Sequence, residues 1–277
     1  MTTKVAVVGA TGKMGRLISG IVEESPEFEL VASLDSRSPL EEMLAADLVV
    51  DVTVPGVSQK VVEFAVANGR QVLVGTSGWS ADRIQSLRRA LGETPQSGVL
   101  VVPNFSLGSV LATMFSSMAA RFYDSIEIVE AHAATKVDSP SGTAVRTAEL
   151  MGAARKALGP VSAPHTDQRA RGQQVSSIPI HSLRLTGVVA KQDVVFGGTG
   201  EVLTISHETI APTAYAAGIG VALKAASVMR GVTVGLDSLL DLDGSRARAA
   251  ESDAVVAAPV VPENVSGQAA TATSVTP

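Results

Sequence analysis

Three glycines at regular spacing follow a short apolar run near the start of the chain, and they limit how the sequence can fold. The run Val5–Val8 predicts a buried strand, and the glycines are Gly9, Gly12 and Gly15. Apolar residues at helical spacing follow from Met14. Glycines in these places permit a tight turn, a close approach of backbone to a pyrophosphate, and close packing of helix on strand. The segment therefore predicts a strand, a dinucleotide-binding turn and a helix.

The same alternation of strand and helix continues to about residue 104. Further strands are predicted at residues 30–34, 48–52, 72–74 and 99–102. Helices are predicted at residues 14–23, 57–68 and 81–91. Strands that alternate with helices favour βαβ units with right-handed crossovers and a parallel sheet. This part of the chain predicts a Rossmann-type domain.

The pattern changes after residue 104. Helices are predicted at residues 106–123 and 143–158, and strands at residues 125–131, 182–188, 193–197 and 201–208. An Ala-rich helix at residues 214–229 is expected to return to the first domain. The predicted fold is α/β, with a Rossmann-type parallel sheet domain (residues 1–104 and 215–244) and a smaller α+β domain with a largely antiparallel sheet (residues 105–214).

Several classes of protein are disfavoured by the composition. A net charge of −5 without clustered Lys and Arg argues against nucleic-acid binding. The absence of cysteine excludes disulfides and thiolate metal sites, and the histidines lack metal-like spacing, so no metal is expected. No signal peptide and no apolar stretch of about 18 residues is present, so we expect a cytoplasmic protein without membrane contact.

The last part of the chain has a composition of its own. Residues 245–277 are rich in Ala, Val, Ser, Thr and Pro, and contain no aromatic residue. Such a segment buries too little apolar surface to offset its ordering entropy. A disordered tail is therefore predicted.

Charged residues near the predicted nucleotide turn bear on the choice of cofactor. Asp35 ends the second predicted strand, 20 residues after Gly15, where an acidic residue commonly bonds the ribose hydroxyls of a dinucleotide. The alternative is an ordinary polar residue at the end of a strand. Lys13 and Arg37 lie nearby and either meet a 2′-phosphate or are solvated charges. The pattern predicts NADH or NADPH as cofactor.

A second group of chemically capable residues lies between residues 130 and 144. A strand is expected to end near residue 131, and a loop then holds His132 and Lys136. Lys136 brings a positive charge and a proton donor, and His132 titrates near neutrality. In isolation, each has a plain alternative as a structural histidine or a surface lysine. The remaining histidines, His165, His181 and His207, are interpreted as structural or surface residues.

The residues after Lys136 predict the start of a helix with an anion site. Ser, Asp, Pro and Gly between residues 138 and 142 favour a helix N-terminus. Free N–H groups of Ser141, Gly142 and Thr143 would then face a carboxylate, with the Thr143 hydroxyl in reach. A plain helix cap is the alternative, and the coincidence with His132 and Lys136 favours a substrate site.

These motifs resemble those of the 4-hydroxy-tetrahydrodipicolinate reductases, also called dihydrodipicolinate reductases, and in detail their actinobacterial members. The similarity covers about residues 4–242. Its landmarks are residues 8–15, 51–53, 74–79, 102–108, 136–144 and 234–241. The segment from Lys136 to Ala144 is very specific to the family.

The resemblance implies roles for the matching residues. Those implied to bind the dinucleotide are Gly9, Thr11, Gly12, Lys13, Met14, Gly15, Asp35, Gly75, Thr76, Ser77, Pro103, Asn104 and Phe105. His132 and Lys136 match the family's catalytic pair. Ser141, Gly142 and Thr143 match its substrate-carboxylate site.

The resemblance also implies a reaction and an assembly. The reaction is NAD(P)H-dependent reduction of 4-hydroxy-tetrahydrodipicolinate, a small dicarboxylate, to tetrahydrodipicolinate in lysine and diaminopimelate biosynthesis. The assembly is a homotetramer, with the smaller domain binding substrate and forming the oligomer. Two alternatives stay open: a reductase of the same fold acting on another cyclic imine or keto dicarboxylate, and a non-catalytic NAD(P)-binding regulator.

One position departs from the family pattern. The family has a second histidine directly after the first, and this chain has Ala133 there. A lost hydrogen bond to a charged acceptor costs about 1.5–3 kcal/mol. Ala133 therefore predicts weaker substrate binding or a changed substrate.

Overall fold

Six parallel strands form the first sheet of the computed structural model, which describes residues 2–240. The strands are β1 (Thr3–Val8), β2 (Phe28–Leu34), β3 (Leu48–Asp51), β4 (Gln71–Val74), β5 (Gly98–Val101) and β11 (Gly231–Val234). Their order across the sheet is β11-β5-β4-β3-β1-β2, and every neighbouring pair is parallel.

Helices cover both faces of this sheet. They are α1 (Lys13–Glu24), α2 (Pro55–Ala67), α3 (Ala81–Leu91) and α6 (Ala216–Ala226). Val5 and Val7 pack with residues of α1 and α6, whereas Ala6 and Val8 pack with residues of α2 and α3. Alternate residues of a strand point to opposite faces, so a continuous apolar strand fits a sheet buried on both sides.

The chain changes direction across the sheet at β1. It leaves β1 for β2 on one side and then returns to β3 on the other side. In open parallel sheets, ligands bind in the crevice outside the carboxyl ends of the strands at such a switch point. The glycine turn after β1 and the segment after β3 both lie at this crevice.

The second sheet is mixed. Its strands are β6 (Ser125–Ala133), β7 (Gln173–Val175), β8 (Ile178–Leu185), β9 (Ala190–Gly198) and β10 (Glu201–Thr209). The order is β10-β9-β6-β8-β7, and only the β6–β8 pair is parallel among these described strands. The helices α4 (Leu107–Ala119) and α5 (Gly142–Ala154) lie in the connections around β6.

The face of the second sheet that packs on α5, called the inner face below, changes character along its length. At one end it is apolar, with Ile126, Ile128 and Phe196 in a buried cluster. At the other end it is polar. There Glu130 on β6, Gln192 on β9 and His207 on β10 lie directly opposite one another in the register. This row, called the polar row below, brings together residues far apart in sequence.

The predicted fold class is confirmed, and most elements lie where the pattern places them. Some boundaries were wrong: α4 ends at Ala119 rather than residue 123, α5 at Ala154 rather than residue 158, and β8 spans Ile178–Leu185 rather than residues 182–188. The short strands β7 and β11 were missed, because glutamine, glycine or threonine stands where an apolar run would mark a strand.

The predicted division into domains stays a prediction. The described chain up to Leu239 forms one compact unit that contains both sheets. The predicted tail at residues 245–277 lies outside the described residues. Within residues 2–240, no helix is long and apolar enough to cross a bilayer.

Candidate active site

The glycine turn leaves the N-terminus of α1 open. Gly9 has a φ of +89°, and a Cβ there would lie 2.6 Å from the carbonyl oxygen of Val52. A Cβ at Gly15 would overlap the backbone of Gly9 and Ala10. Gly12 caps α1 without a side chain, and the first turn holds no acidic residue. The unpaired N–H groups of that turn therefore fit a pyrophosphate.

Asp35 lies directly after β2 with its carboxylate held in place. One oxygen accepts a hydrogen bond from the backbone N–H of Arg37 at 2.8 Å, and the other from its guanidinium at 3.3 Å. These contacts lower the pKa of Asp35, the backbone N–H contributing most. A charged carboxylate with an exposed arginine beside it thus stands at the end of β2.

A cavity of about 330 Å³ takes its walls from both sheets. On the side of the first sheet, the predicted residues that line it are Met14, Gly75, Pro103, Asn104 and Phe105. On the side of the second sheet, they are His132, Lys136, Ser141 and Thr143. An adjoining cleft of about 510 Å³ shares several of these walls and adds Thr76, Ser77 and Gly142. The other predicted residues lie along the glycine turn and at the end of β2: Gly9, Thr11, Gly12, Lys13, Gly15 and Asp35.

His132 lies in a strand and not in a loop, because β6 continues to Ala133. Small residues on both sides of it gave no strand signal. Its ring nitrogen Nδ1 lies 2.5 Å from the Oε2 atom of Glu130. A carboxylate only accepts, so Nδ1 carries the proton in this contact, and Nε2 is the nitrogen left for a ligand.

Glu130 is fully buried and connects the elements of the site. Both terminal nitrogens of Arg184 donate to it at 3.0 Å, and the backbone N–H of Ser141 donates at 3.2 Å. Burial alone would raise the pKa of Glu130, but hydrogen bonds from Arg184, Ser182 and His132 outweigh it and lower the pKa. Glu130 and Arg184 were missed by sequence reasoning, because they are 54 residues apart.

The N-terminus of α5 offers fewer free donors than expected. The N–H of Ser141 is bonded to Glu130, which corrects the prediction of three free groups. The Ser141 hydroxyl caps the helix by accepting from Ala144 at 3.2 Å. Gly142 and Thr143 occupy the first turn, whose N–H groups have no intrahelical acceptor. Two backbone donors therefore remain for an anion.

Lys136 adds a positive charge beside this helix terminus. Its Nζ atom lies 2.7 Å from the Oδ1 atom of Asp138, and this contact is the main cause of a lowered pKa of Asp138. Because Lys136 lines the cavity while paired with a partly exposed carboxylate, an incoming carboxylate can share or replace Asp138 as its partner.

His207 lies in the wall of the cavity, although the sequence assigned it a structural or surface role. Its Nε2 atom is 3.2 Å from the Ser106 hydroxyl, and burial lowers its pKa. His181 instead bonds Glu127 at 2.7 Å. His207 was missed because its position depends on the pairing of β9 with β10.

Ala133 lies on the other face of the second sheet from His132. Neighbouring residues of a strand alternate between faces, and Ala133 pairs in register with Leu185. Leu185 is exposed. A side chain at position 133 therefore starts away from the cavity, and the expected loss of a substrate contact there is smaller than the sequence suggested.

Comparisons with known proteins cover nearly all of the described chain. Family models described as "Dihydrodipicolinate reductase, N-terminus" and "Dihydrodipicolinate reductase, C-terminus" match residues 3–105 and 108–240. A 4-hydroxy-tetrahydrodipicolinate reductase of Clavibacter michiganensis is 69% identical over 276 residues, with 99% of this chain and 100% of the relative covered. Its counterpart in Mycobacterium sp. (strain KMS) is 41% identical, with 86% and 99% covered.

Comparison with solved structures agrees with these sequence matches. A dipicolinate-bound dihydrodipicolinate reductase from Paenisporosarcina sp. TG-14 is 29% identical, with a TM-score of 0.76 over 87% of this chain and 100% of that chain. GenD2 from gentamicin A biosynthesis, in complex with NAD, shares the fold at 18% identity and a TM-score of 0.53, with 74% and 72% covered.

Proposed function

The chain belongs to the dihydrodipicolinate reductase family, and on this basis we propose that it reduces 4-hydroxy-tetrahydrodipicolinate to tetrahydrodipicolinate. One hydride and one proton are consumed, and one water is released. The observation that carries the proposal is the cavity in which His132, Lys136 and the start of α5 meet the carboxyl-end crevice of the first sheet. The reaction belongs to lysine and diaminopimelate biosynthesis.

The cofactor is NADH or NADPH, which supplies the hydride when bound. The N–H groups at the start of α1 hold its pyrophosphate, and Asp35 bonds the ribose hydroxyls. A carboxylate at that position repels a 2′-phosphate, whereas Arg37 beside it attracts one. We therefore expect both cofactors to be used, with NADH at least as effective as NADPH.

The nicotinamide end is positioned by the segment after β5. The side chain of Asn104 is fixed by the Ser109 hydroxyl at 2.9 Å and by the Ser106 N–H at 2.9 Å. The ring of Phe105 packs so closely on Gly75 that a Cβ at Gly75 would lie 2.7 Å from it. These contacts make a fixed wall opposite His132 and Lys136.

The second sheet and α5 hold the substrate. One carboxylate binds the N–H groups of Gly142 and Thr143 and the ammonium group of Lys136. Lys136 donates the proton that accompanies hydride transfer. His132, with Nδ1 bonded to Glu130, presents Nε2 to the charge that develops on the substrate. Dipicolinate, the ligand of the Paenisporosarcina enzyme, is expected to compete for this site.

The chain is further proposed to assemble as a homotetramer through the outer face of the second sheet. Leu183, Leu185 and Val202 on this face are 45%, 48% and 70% exposed. Exposed apolar side chains on an open sheet face are typical of an interface between subunits. Sedimentation equilibrium tests the assembly, and a Leu185→Lys variant should shift it toward smaller species.

The reaction is tested by steady-state oxidation of NADH and NADPH with enzymatically generated 4-hydroxy-tetrahydrodipicolinate. Turnover of this substrate well above that of other cyclic imines and keto dicarboxylates is expected. A preference for one of those compounds would favour a same-fold reductase of different specificity. Cofactor binding with no turnover of any of them would favour a regulator. A preference for NADPH above about a hundredfold, roughly 2.7 kcal/mol, would contradict the placement of Asp35.

A further inference from the structure

Gln192 occupies the centre of the polar row and lines the cavity. It lies on β9, opposite Glu130 on one side and His207 on the other. Only 8% of its surface is exposed. It shares the inner face with His132, the proposed charge-stabilising residue. It takes no part in the proposed binding of the carboxylate or in the proposed proton transfer.

The orientation of the Gln192 amide is fixed by a chain of hydrogen bonds. The Thr147 hydroxyl lies 2.8 Å from the carbonyl oxygen of Thr143, which only accepts, so Thr147 donates to it. The lone pairs of Thr147 are then free to accept, and the amide nitrogen of Gln192 donates to them at 3.1 Å. The amide oxygen is consequently the end turned away from α5.

This amide oxygen is buried and has no hydrogen-bond partner among the described residues. Buried acceptors in native proteins are normally paired, because desolvation without a donor destabilises the fold. Its neighbour in the row, His207, has a pKa lowered by burial and already contacts Ser106. Because Gln192 lines the binding cavity, its unpaired acceptor indicates a donor on the ligand.

We propose that the Oε1 atom of Gln192 accepts a hydrogen bond from a donor on the substrate ring, and that this contact selects the hydroxylated cyclic substrate over flat dicarboxylates. The inference rests on the proposed reaction and adds a residue that determines specificity. The substrate carries a hydroxyl donor at C4, and its ring nitrogen becomes a donor when protonated. Dianionic dipicolinate carries neither, whereas the carboxylates are common to both and are bound elsewhere.

The test compares Gln192→Met and Gln192→Leu with the wild-type enzyme. Both variants replace the amide, and with it the acceptor, by an apolar group of similar size. The KM for 4-hydroxy-tetrahydrodipicolinate should rise about 5- to 15-fold, as expected for one lost hydrogen bond, with a smaller change in kcat. The dissociation constant of dipicolinate should stay within about twofold, because it offers no donor.

A control variant separates this contact from disturbance of the network. The Thr113 hydroxyl bonds Thr147 at 2.9 Å, so Thr113→Val perturbs the same chain of hydrogen bonds and leaves the acceptor of Gln192 in place. It should leave the ratio of the substrate KM to the dissociation constant of dipicolinate unchanged.

Inhibition by the product, which lacks the hydroxyl, identifies the donor on the substrate. A loss of product affinity in Gln192→Met assigns the donor to the ring nitrogen. An unchanged product affinity assigns it to the hydroxyl.

The outcomes distinguish the two proposals. A parallel loss of substrate and dipicolinate affinity would overturn the inference, since the role of Gln192 would then be packing. An unchanged KM in both variants would overturn it as well. Neither result affects the proposed reaction, which fails only if the wild-type enzyme does not turn over the substrate. Melting temperatures and NADH affinities of the variants check that each is folded.

Discussion

The two sheets meet at one cavity but contribute to it in different ways. At the place proposed for the pyrophosphate, the first sheet offers backbone: a glycine turn and the open N-terminus of α1. The second sheet offers side chains, set across three strands in the row of Glu130, Gln192 and His207. A site made of backbone depends on where side chains are absent, whereas a site made of a cross-strand row depends on which residues the register brings together.

This difference indicates different tasks for the two sheets. Backbone donors at a helix terminus bind any phosphate of the right shape and need no titratable group. Proton transfer and substrate selection need particular side chains held by others, as Glu130 holds His132. Substitutions in the first sheet should therefore change cofactor affinity, and substitutions in the second should change turnover or substrate affinity.

The largest effect is expected from Lys136→Ala. Removing the proposed proton donor should lower kcat by a factor on the order of 10²–10⁴ and leave NADH affinity within about twofold. Steady-state assays give kcat, and quenching of Trp79, the one tryptophan of the chain, gives NADH affinity. A variant that kept most of its turnover would show that Lys136 does not donate the proton. It would also weaken the assignment of proton transfer to the second sheet.

Glu130→Gln should affect stability through the second sheet. Arg184 loses its charged partner in a buried site, so the free energy of unfolding should fall by about 3–5 kcal/mol at pH 7. The pKa of Glu130 is lowered in the folded chain. The stability it contributes is therefore present above its unfolded pKa of about 4.5 and is lost as the pH falls through the folded value.

Urea unfolding at pH 7 and pH 4 measures this effect. The difference in the free energy of unfolding between wild type and Glu130→Gln should be smaller at pH 4 than at pH 7. Glu127→Gln serves as the control, since Glu127 lies on the outer face with partly exposed partners and should change stability by about 1 kcal/mol. An equal difference at both pH values would show that the pKa of Glu130 is not lowered on folding.

Gly12→Asp should affect the first sheet alone. Aspartate is a favourable N-cap, and the φ of −72° at Gly12 suits it. Its Cβ would lie 3.3 Å from the carbonyl oxygen of Gly9, so α1 should lose only a little stability. The aspartate charge at the helix terminus should weaken NADH binding on the order of 10- to 100-fold. Gly20→Asp, which places the same charge on α1 in open space, should bind NADH within about twofold of wild type. Equal NADH binding by the two variants would place the pyrophosphate elsewhere.

The smallest effect is expected from Ala133→His. The structure places position 133 on the face opposite His132, so an imidazole there should change the KM for the substrate by less than about twofold. Steady-state kinetics with the generated substrate measure it. A fivefold decrease in KM would show that residue 133 turns into the cavity when substrate binds, and would restore the larger role that the family pattern assigns to this position.

The contrast between the sheets also explains what could be predicted from sequence. The glycine turn, the parallel strands and the start of α5 are local patterns of a few residues, and each could be predicted without knowledge of the rest of the chain. Arg184, Gln192 and His207 could not, because each reaches the site only through the pairing of strands distant in sequence. Even Glu130, two residues from His132, shows its role only when Arg184 and the N–H of Ser141 are placed against it.

The register of the polar row constrains how this protein can evolve. A substitution at Gln192 or His207 alters one member of the row, and the rest of the site persists. One inserted residue within β9 would instead move every later side chain of that strand to the opposite face, taking polar groups out of the cavity and apolar ones out of the core. Descendants of this sequence can thus vary in composition along β9, but they must conserve its length, and length changes should accumulate in the connecting segment at residues 186–189.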